Sequence, residues 1–217
     1  MENYNFQIKE VGLSEIKDVI LHKHYAQRKP SISKAFGLYK GEELIGVCTF
    51  GKPASASLCK GVCGEEHSHR VYELNRLWTK DDLPRNTLSW FLSRVLKKLK
   101  PLDWIIVSYS DEGMKHHGYI YQATNWIYTG KTKQRTDKYS PNGKHSRHYS
   151  DEYMHFRKVR TSKHRYVYFV DNKKNNIKLL NYPVIPTYPK GDNGYYQEGY
   201  KIQAKVINTI TGEVFYE

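Results

Sequence analysis

Four side chains of this 217-residue sequence combine a reactive type with a position from which it could act: His24, Tyr25, Arg76 and Asp111. Asp111 follows the apolar run Trp104-Ile105-Ile106-Val107-Ser108-Tyr109. In α/β sheets, functional groups sit outside the carboxyl ends of the strands. There Asp111 could contact or deprotonate a substrate amine; ahead of the segment at 117 it could equally cap a helix. Arg76 shares a strand-like stretch with Leu74, so alternation puts both on one face and Glu73 and Asn75 on the other. A cation on an apolar face needs an anionic partner, because an unpaired buried charge is costly. Asp111, another carboxylate or a phosphate would serve. His24 and Tyr25 stand where the first helix gives way to Lys29-Pro30, in a loop suited to lining a site. The intrinsic pKa of imidazole fits His24 to proton transfer or metal ligation. A separate group, Cys59, Cys63, His67 and His69, has the spacing C-x3-C-x3-H-x-H. Zinc sites more commonly use two tight pairs set farther apart. The alternative is two cysteines packed as small apolar groups beside exposed histidines, and no metal site is assigned.

The elements that must position these residues follow from periodicity. Leu13, Ile16, Val19 and Ile20 recur at helical spacing and predict a first helix ending near 22–25. Residues 35–39 and 44–50 flank the turn Lys40-Gly41-Glu42-Glu43 and read as a β-hairpin. The Gly-, Ser- and Cys-rich stretch 51–70 reads as a long loop, and 71–78 alternates like a strand. Leu88, Phe91, Leu92, Val95, Leu96 and Leu99 form an apolar stripe over a helix at 87–100, with Asn86 or Thr87 as N-cap and Pro101 as stop. The run 104–109 predicts a strand buried on both faces. A short helix at 117–124 and a strand from Trp126 follow. The alternation of helices and strands indicates an α/β sheet. After a further strand at 163–170, the proline-bearing stretch 181–189 is extended, and 200–217 offers a pair of strands around Thr211-Gly212. The expected division is a core over 1–165 and a C-terminal extension over 166–217.

Composition bounds the partners. Thirty-five Lys and Arg oppose twenty-two Asp and Glu, a formal net charge of +13, which favours polyanions. The excess is concentrated at 131–165, where eleven Lys and Arg meet three acids. Histidines and tyrosines interleave with them, and cations alternating with rings suit a nucleic-acid surface. Lys131, Lys133, Arg135, Lys138 and Arg147 are the expected phosphate contacts; a solvated basic loop is the alternative. No apolar run reaches the length of a membrane span. The first residues lack a signal-peptide pattern, and three cysteines make no disulfide scaffold. A soluble, cytoplasmic protein without membrane contact is expected.

The stretch Ile120-Tyr121-Gln122-Ala123-Thr124-Asn125-Trp126 resembles the Leu-Tyr-x-x-x-Gly-Phe signature of GNAT N-acyltransferases. Asn125 stands for the glycine, as the next-best left-handed C-cap. That resemblance implies a GNAT-like central mixed sheet flanked by helices, here with a β-rich basic extension. It also implies that Tyr121 protonates or positions the donor's leaving group, whereas periodicity alone would equally allow a core tyrosine. The helix at 87–100 would receive a pyrophosphate through Arg85, Asn86, Thr87 and Ser89. However, Pro84-Arg85-Asn86-Thr87-Leu88-Ser89 lacks the glycines of the usual acyl-coenzyme A loop. With Tyr72-Glu73-Leu74-Asn75-Arg76-Leu77, His24-Tyr25, Gly46-Val47-Cys48-Thr49-Phe50-Gly51-Lys52-Pro53 and Ile106-Val107-Ser108-Tyr109-Ser110-Asp111, the chain is similar to the Mom family of phage DNA-modification proteins. The resemblance implies conversion of adenine in double-stranded DNA to N6-(carbamoylmethyl)adenine, protecting phage DNA from restriction. The donor is left unknown, with acetyl-CoA or another acyl-CoA and an iron ion left open. Two alternatives stand beside it: an acyl-CoA-dependent N-acyltransferase of a protein or small amine, and a non-catalytic nucleic-acid-binding protein.

Overall fold

The structure, a computed structural model, describes residues 5–141, 148–171, 176–192, 194, 200 and 203–217. Its main sheet is built from β1 (Phe6–Glu10), β2 (Lys34–Lys40), β3 (Glu43–Gly51), β4 (Val71–Thr79), β5 (Ile105–Asp111), β6 (Ile127–Lys131) and β9 (Lys163–Phe169). The spatial order is β1-β2-β3-β4-β5-β9-β6. Only β4 and β5 run parallel; α3 (Thr87–Lys98) lies between them in sequence, as a parallel crossover requires. The mixed α/β class expected from the sequence is what the chain adopts. β9 pairs with β5 on one side and β6 on the other. The expected division at 165/166 therefore falls inside a strand of the main sheet.

Three apolar clusters cover the sheet. The α3 stripe (Phe91, Leu92, Val95, Leu96, Leu99) packs on Phe36, Phe50, Leu74, Ile106 and Trp126. On another face, α1 (Leu13–Asp18) and the π-helical turn Val19–Lys23 bury Ile16, Val19 and Ile20 against Val47 and Trp78. Opposite α3, α2 (Ala56–His67) buries Cys59, Val62 and Cys63 against Val71, Ile105, Val107 and Val167. This helix replaces the loop expected at 51–70. Ser55 caps it, its Oγ accepting from Leu58 N at 3.2 Å, and the helix kinks at Cys63 and Gly64. The two glycines and weak amphipathicity hide it in the sequence. Counted as apolar residues rather than ligands, Cys59, Val62 and Cys63 show the helical i, i+3, i+4 spacing. No helix among the described residues is long and apolar enough to cross a membrane.

A second, four-stranded sheet takes the order β11-β10-β8-β7. It joins β7 (Arg135–Lys138) and β8 (Phe156–Arg160) of the basic segment to β10 (Lys205–Asn208) and β11 (Val214–Tyr216) of the C-terminal region. The basic segment is thus structured at both ends rather than a continuous loop, and the strand pair expected around Thr211-Gly212 completes its sheet.

The short helix α4 (Tyr119–Ala123) stops in a Schellman motif. Asn125 adopts φ 61°, with Trp126 N donating to Tyr121 O at 3.0 Å and Asn125 N to Gln122 O at 3.1 Å. Trp126, fully buried, packs on Tyr121 at 5.1 Å between ring centroids. Left-handed backbone penalises a Cβ without a compensating polar side chain. Asn125→Ala is expected to cost on the order of 1 kcal/mol in urea unfolding, and Asn125→Gly clearly less. Equal losses would show that the turn's conformation is not what Asn125 supplies.

Candidate active site

The site begins with an irregularity in β4. Its ladder to β5 covers Val71↔Ile105, Tyr72↔Ile106 and Glu73↔Val107 and then ends. Toward β3, Leu74 opposes Phe50 while Arg76 opposes Thr49, leaving Asn75 as the extra residue of a β-bulge. Packing reports the same shift. Leu74 and Leu77, three positions apart, meet one apolar cluster, and Trp78 meets another. Strict alternation would separate Leu74 from Leu77. Arg76 therefore lies on the face of Glu73, not that of Leu74 as simple alternation suggested.

The bulge holds the loop that carries His24 and Tyr25. Asn75 Nδ2 donates to Ser31 O at 2.7 Å, while its Oδ1 accepts from Thr49 Oγ1 at 2.6 Å. Arg76 Nη2 donates to Arg28 O at 2.6 Å and Nη1 to Asn75 O at 2.5 Å. A Cβ on Gly51 would lie 1.9 Å from Ser31 O, so glycine there permits the loop's approach. Arg76 is only 9% exposed, and its Nε is buried without a partner among the described residues. No carboxylate among them lies within ion-pair distance of Arg76; the pairing with Asp111 allowed by the sequence is not formed. Asp111 instead binds Lys163 Nζ at 2.7 Å.

The carboxylates differ in environment. Asp111 Oδ1 accepts from Thr161 Oγ1 at 2.6 Å and from Gly113 N at 2.9 Å, which caps the turn Glu112–Met114. Burial alone would raise its pKa, but Lys163, Thr161 and Gly113 outweigh it and hold the carboxyl below its ordinary value. Such a group is a firm anion and a poor proton acceptor. The Glu73 carboxylate, one strand away, has no hydrogen bond to the described residues. Desolvation raises its pKa in spite of the Arg76, Lys163 and Arg28 charges. Glu73 is the site residue that the sequence reading passed over. Its signal was an acid inside a half-buried strand, within the same Glu-Leu-Asn-Arg block as Arg76.

His24 Nδ1 accepts from Ala26 N at 3.1 Å, which places the imidazole proton on Nε2. Burial, Arg76 and His116 lower its pKa to about 3, so it is a neutral donor rather than a base at physiological pH. Tyr25 stacks on it, with ring centroids 4.4 Å apart. Burial and the Asp111 charge raise the Tyr25 pKa to about 12 against the opposing effect of Arg76. Tyr121 OH and Ser108 Oγ are 2.8 Å apart, and Ser108 Oγ also lies 2.8 Å from Leu74 O. The carbonyl can only accept, so Ser108 gives it its proton and Tyr121 donates to Ser108. Burial raises the Tyr121 pKa. His24, Tyr25, Arg76 and Asp111 thus converge with Glu73 around the divergence of β4 and β5, while Tyr121 closes it from the α4 side.

Arg85, Asn86, Thr87 and Ser89 line a cleft of about 350 Å³ at the N-terminus of α3, together with Tyr119 and Ile120. The groups that would hold a pyrophosphate turn inward. Thr87 N and Oγ1 both donate to Pro84 O, at 3.1 and 2.6 Å, and Ser89 Oγ donates to Asn86 O at 3.0 Å. The loop has no glycine and its first helical N–H is engaged within the loop itself, so it departs from the usual glycine-lined pyrophosphate cradle. Among the described residues no group of three or more His, Cys, Asp or Glu could hold a metal ion. Cys59 and Cys63 are core residues whose thiol pKa values burial raises. Of the expected phosphate contacts, Lys131 pairs with Glu112, Arg135 and Lys138 lie on β7, Lys133 follows β6, and Arg147 lies outside the described residues.

Among solved structures, yncA, a putative acetyltransferase from Salmonella typhimurium with its cofactor acetyl-CoA, aligns over 77% of this chain and 95% of its own at 9% identity and TM-score 0.49. A GNAT family acetyltransferase from Elizabethkingia anophelis with acetyl-CoA bound covers 76% and 98%, at 11% identity and TM-score 0.43. In sequence, the methylcarbamoylase mom of Escherichia phage Mu is 33% identical over 119 residues. That alignment takes in 52% of this chain and 49% of the relative, so the chain spans about half the length of the curated protein it matches. The Mom protein family matches residues 5–190, a span that includes every residue of the site described above. This chain belongs to the Mom protein family.

Proposed function

We propose that this protein is a transferase that modifies phage DNA, placing a carbamoylmethyl group on the N6 amine of adenine and so shielding the DNA from restriction. The observation that carries the chemistry is Glu73, a carboxylate of raised pKa on the same face as the orphaned Nε of Arg76. Adenine's exocyclic amine is a weak nucleophile, because its lone pair is delocalised into the ring. A carboxylate positioned to take its proton as the N–C bond forms lowers that barrier, and a raised pKa makes the acceptor stronger. The donor is a carbamoylmethyl group on a leaving group. Its C–X bond breaks with the electron pair on X, and Arg76 stabilises that negative charge. Asp111, fixed on Lys163, orients rather than accepts. His24 and Tyr25, both neutral, form the wall against which a base flipped from the duplex would stack. Family membership and the 33% identity to a methylcarbamoylase support the transferred group. Acyl-CoA-dependent transfer to a protein or small amine is disfavoured by the inward-turned loop before α3.

The test is mass spectrometry of nucleosides from plasmid DNA of cells expressing the full chain. A deoxyadenosine adduct of carbamoylmethyl mass is expected, reduced on the order of 10²–10⁴-fold by Glu73→Gln. Asp111→Asn and Arg76→Lys should lower it as well. Unmodified nucleosides in cells holding abundant soluble protein would overturn the function, and an adduct on another base would remove the adenine assignment. Full modification by Glu73→Gln would remove the proton acceptor alone.

A second expectation concerns stability. Because folding raises the Glu73 pKa, the folded state holds its proton more tightly than the unfolded chain. The contribution is complete below the ordinary glutamate pKa and is lost as pH rises through the folded value. Glu73→Gln should therefore raise the melting temperature at pH 8 and leave it nearly unchanged at pH 4. A variant stabilised equally at both pH values would show that Glu73 is not desolvated.

A further inference from the structure

The second sheet separates its charges by face. Register and alternation put Tyr139, Phe156, Val206 and Phe215 on one side, where the three rings lie 5.8–6.1 Å apart and Val206 is fully buried. That side also holds Lys158, directly opposite Asp137 and Val206, and the directly opposed pair Arg135↔Arg160. Asp137 bridges the two, 3.8 Å from Arg135 and 3.6 Å from Arg160. The other side has the opposed pair Lys138↔Arg157 as well, but no acid at any of its strand positions. Arg157 opposes Ile207, two residues from Lys205, and Lys205 opposes Tyr216. Lys138, Arg157, Lys205 and Tyr216 therefore stand on one face. No carboxylate among the described residues pairs with these three cations. Lys138 Nζ lies 4.2 Å from the centre of the Tyr149 ring, and Tyr216 is 62% exposed.

Like charges directly opposite across a ladder weaken a sheet. On the packed face Asp137 offsets part of the charge; on the open face no acid among the described strand residues does, and an external anion can. A row of cations edged by accessible tyrosines matches a phosphate backbone with exposed sugar and base surface. We infer that the open face of the second sheet is the DNA platform, assembled jointly by the basic hairpin (Lys138, Arg157) and the C-terminal hairpin (Lys205, Tyr216). This assignment rests on the reading that DNA is the substrate. It brings in Lys205 and Tyr216, far downstream of the basic segment, and leaves out Arg135, whose charge Asp137 already answers.

The experiment is fluorescence anisotropy of a labelled 20-base-pair duplex titrated with the purified full chain over a range of salt concentrations. Each lost phosphate contact should flatten the slope of log K against log salt by about 0.9. The triple variant Lys138→Gln/Arg157→Gln/Lys205→Gln is expected to bind at least tenfold more weakly at 0.1 M salt, with the slope shallower by two to three. Its melting temperature should be unchanged or higher, because the substitutions remove repulsion; a fall would mark a structural role and overturn the inference. The packed-face control Arg135→Gln/Arg160→Gln should change affinity much less, and an equal loss from both variants would reduce the effect to net charge. Tighter binding to single-stranded RNA of the same length would overturn DNA as the occupant. No donor is present in this assay. Intact, salt-sensitive binding alongside unmodified plasmid nucleosides would thus reject the chemistry and keep the platform.

Discussion

The single extra residue at Asn75 sets the geometry on which the rest of the site depends. A bulge adds one residue against its partner strand and reverses the facing of everything beyond it. In β4 that reversal carries Arg76 to the side of Glu73, while Asn75 and Arg76 reach the carbonyls of Ser31 and Arg28. Those two bonds, with the glycine at position 51 beneath Ser31, fix the loop that presents His24 and Tyr25. The same stretch of β4 has already left its ladder with β5. Ser108 fills the lapse by donating to Leu74 O, and it receives Tyr121 in turn. One local irregularity thereby opens a gap between parallel strands and ties together both walls of that gap.

Within the gap, two carboxylates on neighbouring strands are driven apart in acidity. Asp111 is met by a lysine, a threonine hydroxyl and a backbone N–H; Glu73 is met mainly by the loss of water. Divergent environments of this kind allow one fold to hold an anion and a proton acceptor side by side at one pH. The tyrosines and the histidine do not compete for that proton. Burial keeps Tyr25 protonated and His24 neutral, while desolvation makes the Glu73 carboxylate a stronger proton acceptor than an exposed glutamate.

The sequence displayed what local periodicity can display. The α3 stripe, the buried run of β5, the hairpin of β2 and β3, and Asn125 as a left-handed cap all stand where the residues indicate. His24, Tyr25, Arg76 and Asp111, singled out one by one from the sequence, lie within electrostatic reach of one another. Placing Arg76 on the face of Leu74 assumes an unbroken period of two. A bulge is decided by the partner strand, so nothing in 71–78 announces it. For α2 the difficulty was composition: thiols that pack as apolar groups were weighed as metal ligands, and glycines diluted the stripe. The insertion of β9 between β5 and β6, and the union of β7 and β8 with β10 and β11, are long-range pairings without local signal.

The chain path then constrains how the two sheets relate. β8 ends at Arg160 in the second sheet and β9 begins at Lys163 in the first. Three peptide steps span at most about 11 Å. The residues that make this crossing are also those that hold the acidic corner of the site: Thr161 and Lys163 bind Asp111, and Ser162 binds Glu112. Glu112 in turn pairs with Lys131 at the end of β6, the strand that leads toward β7. The passage from β6 into β7 and from β8 back to β9 therefore closes on Asp111 and Glu112. The distance from the β7 and β8 side of the second sheet's cationic face to the gap between β4 and β5 is set by these two short crossings, which is the condition for a surface that grips a polymer to present one of its units to a fixed site.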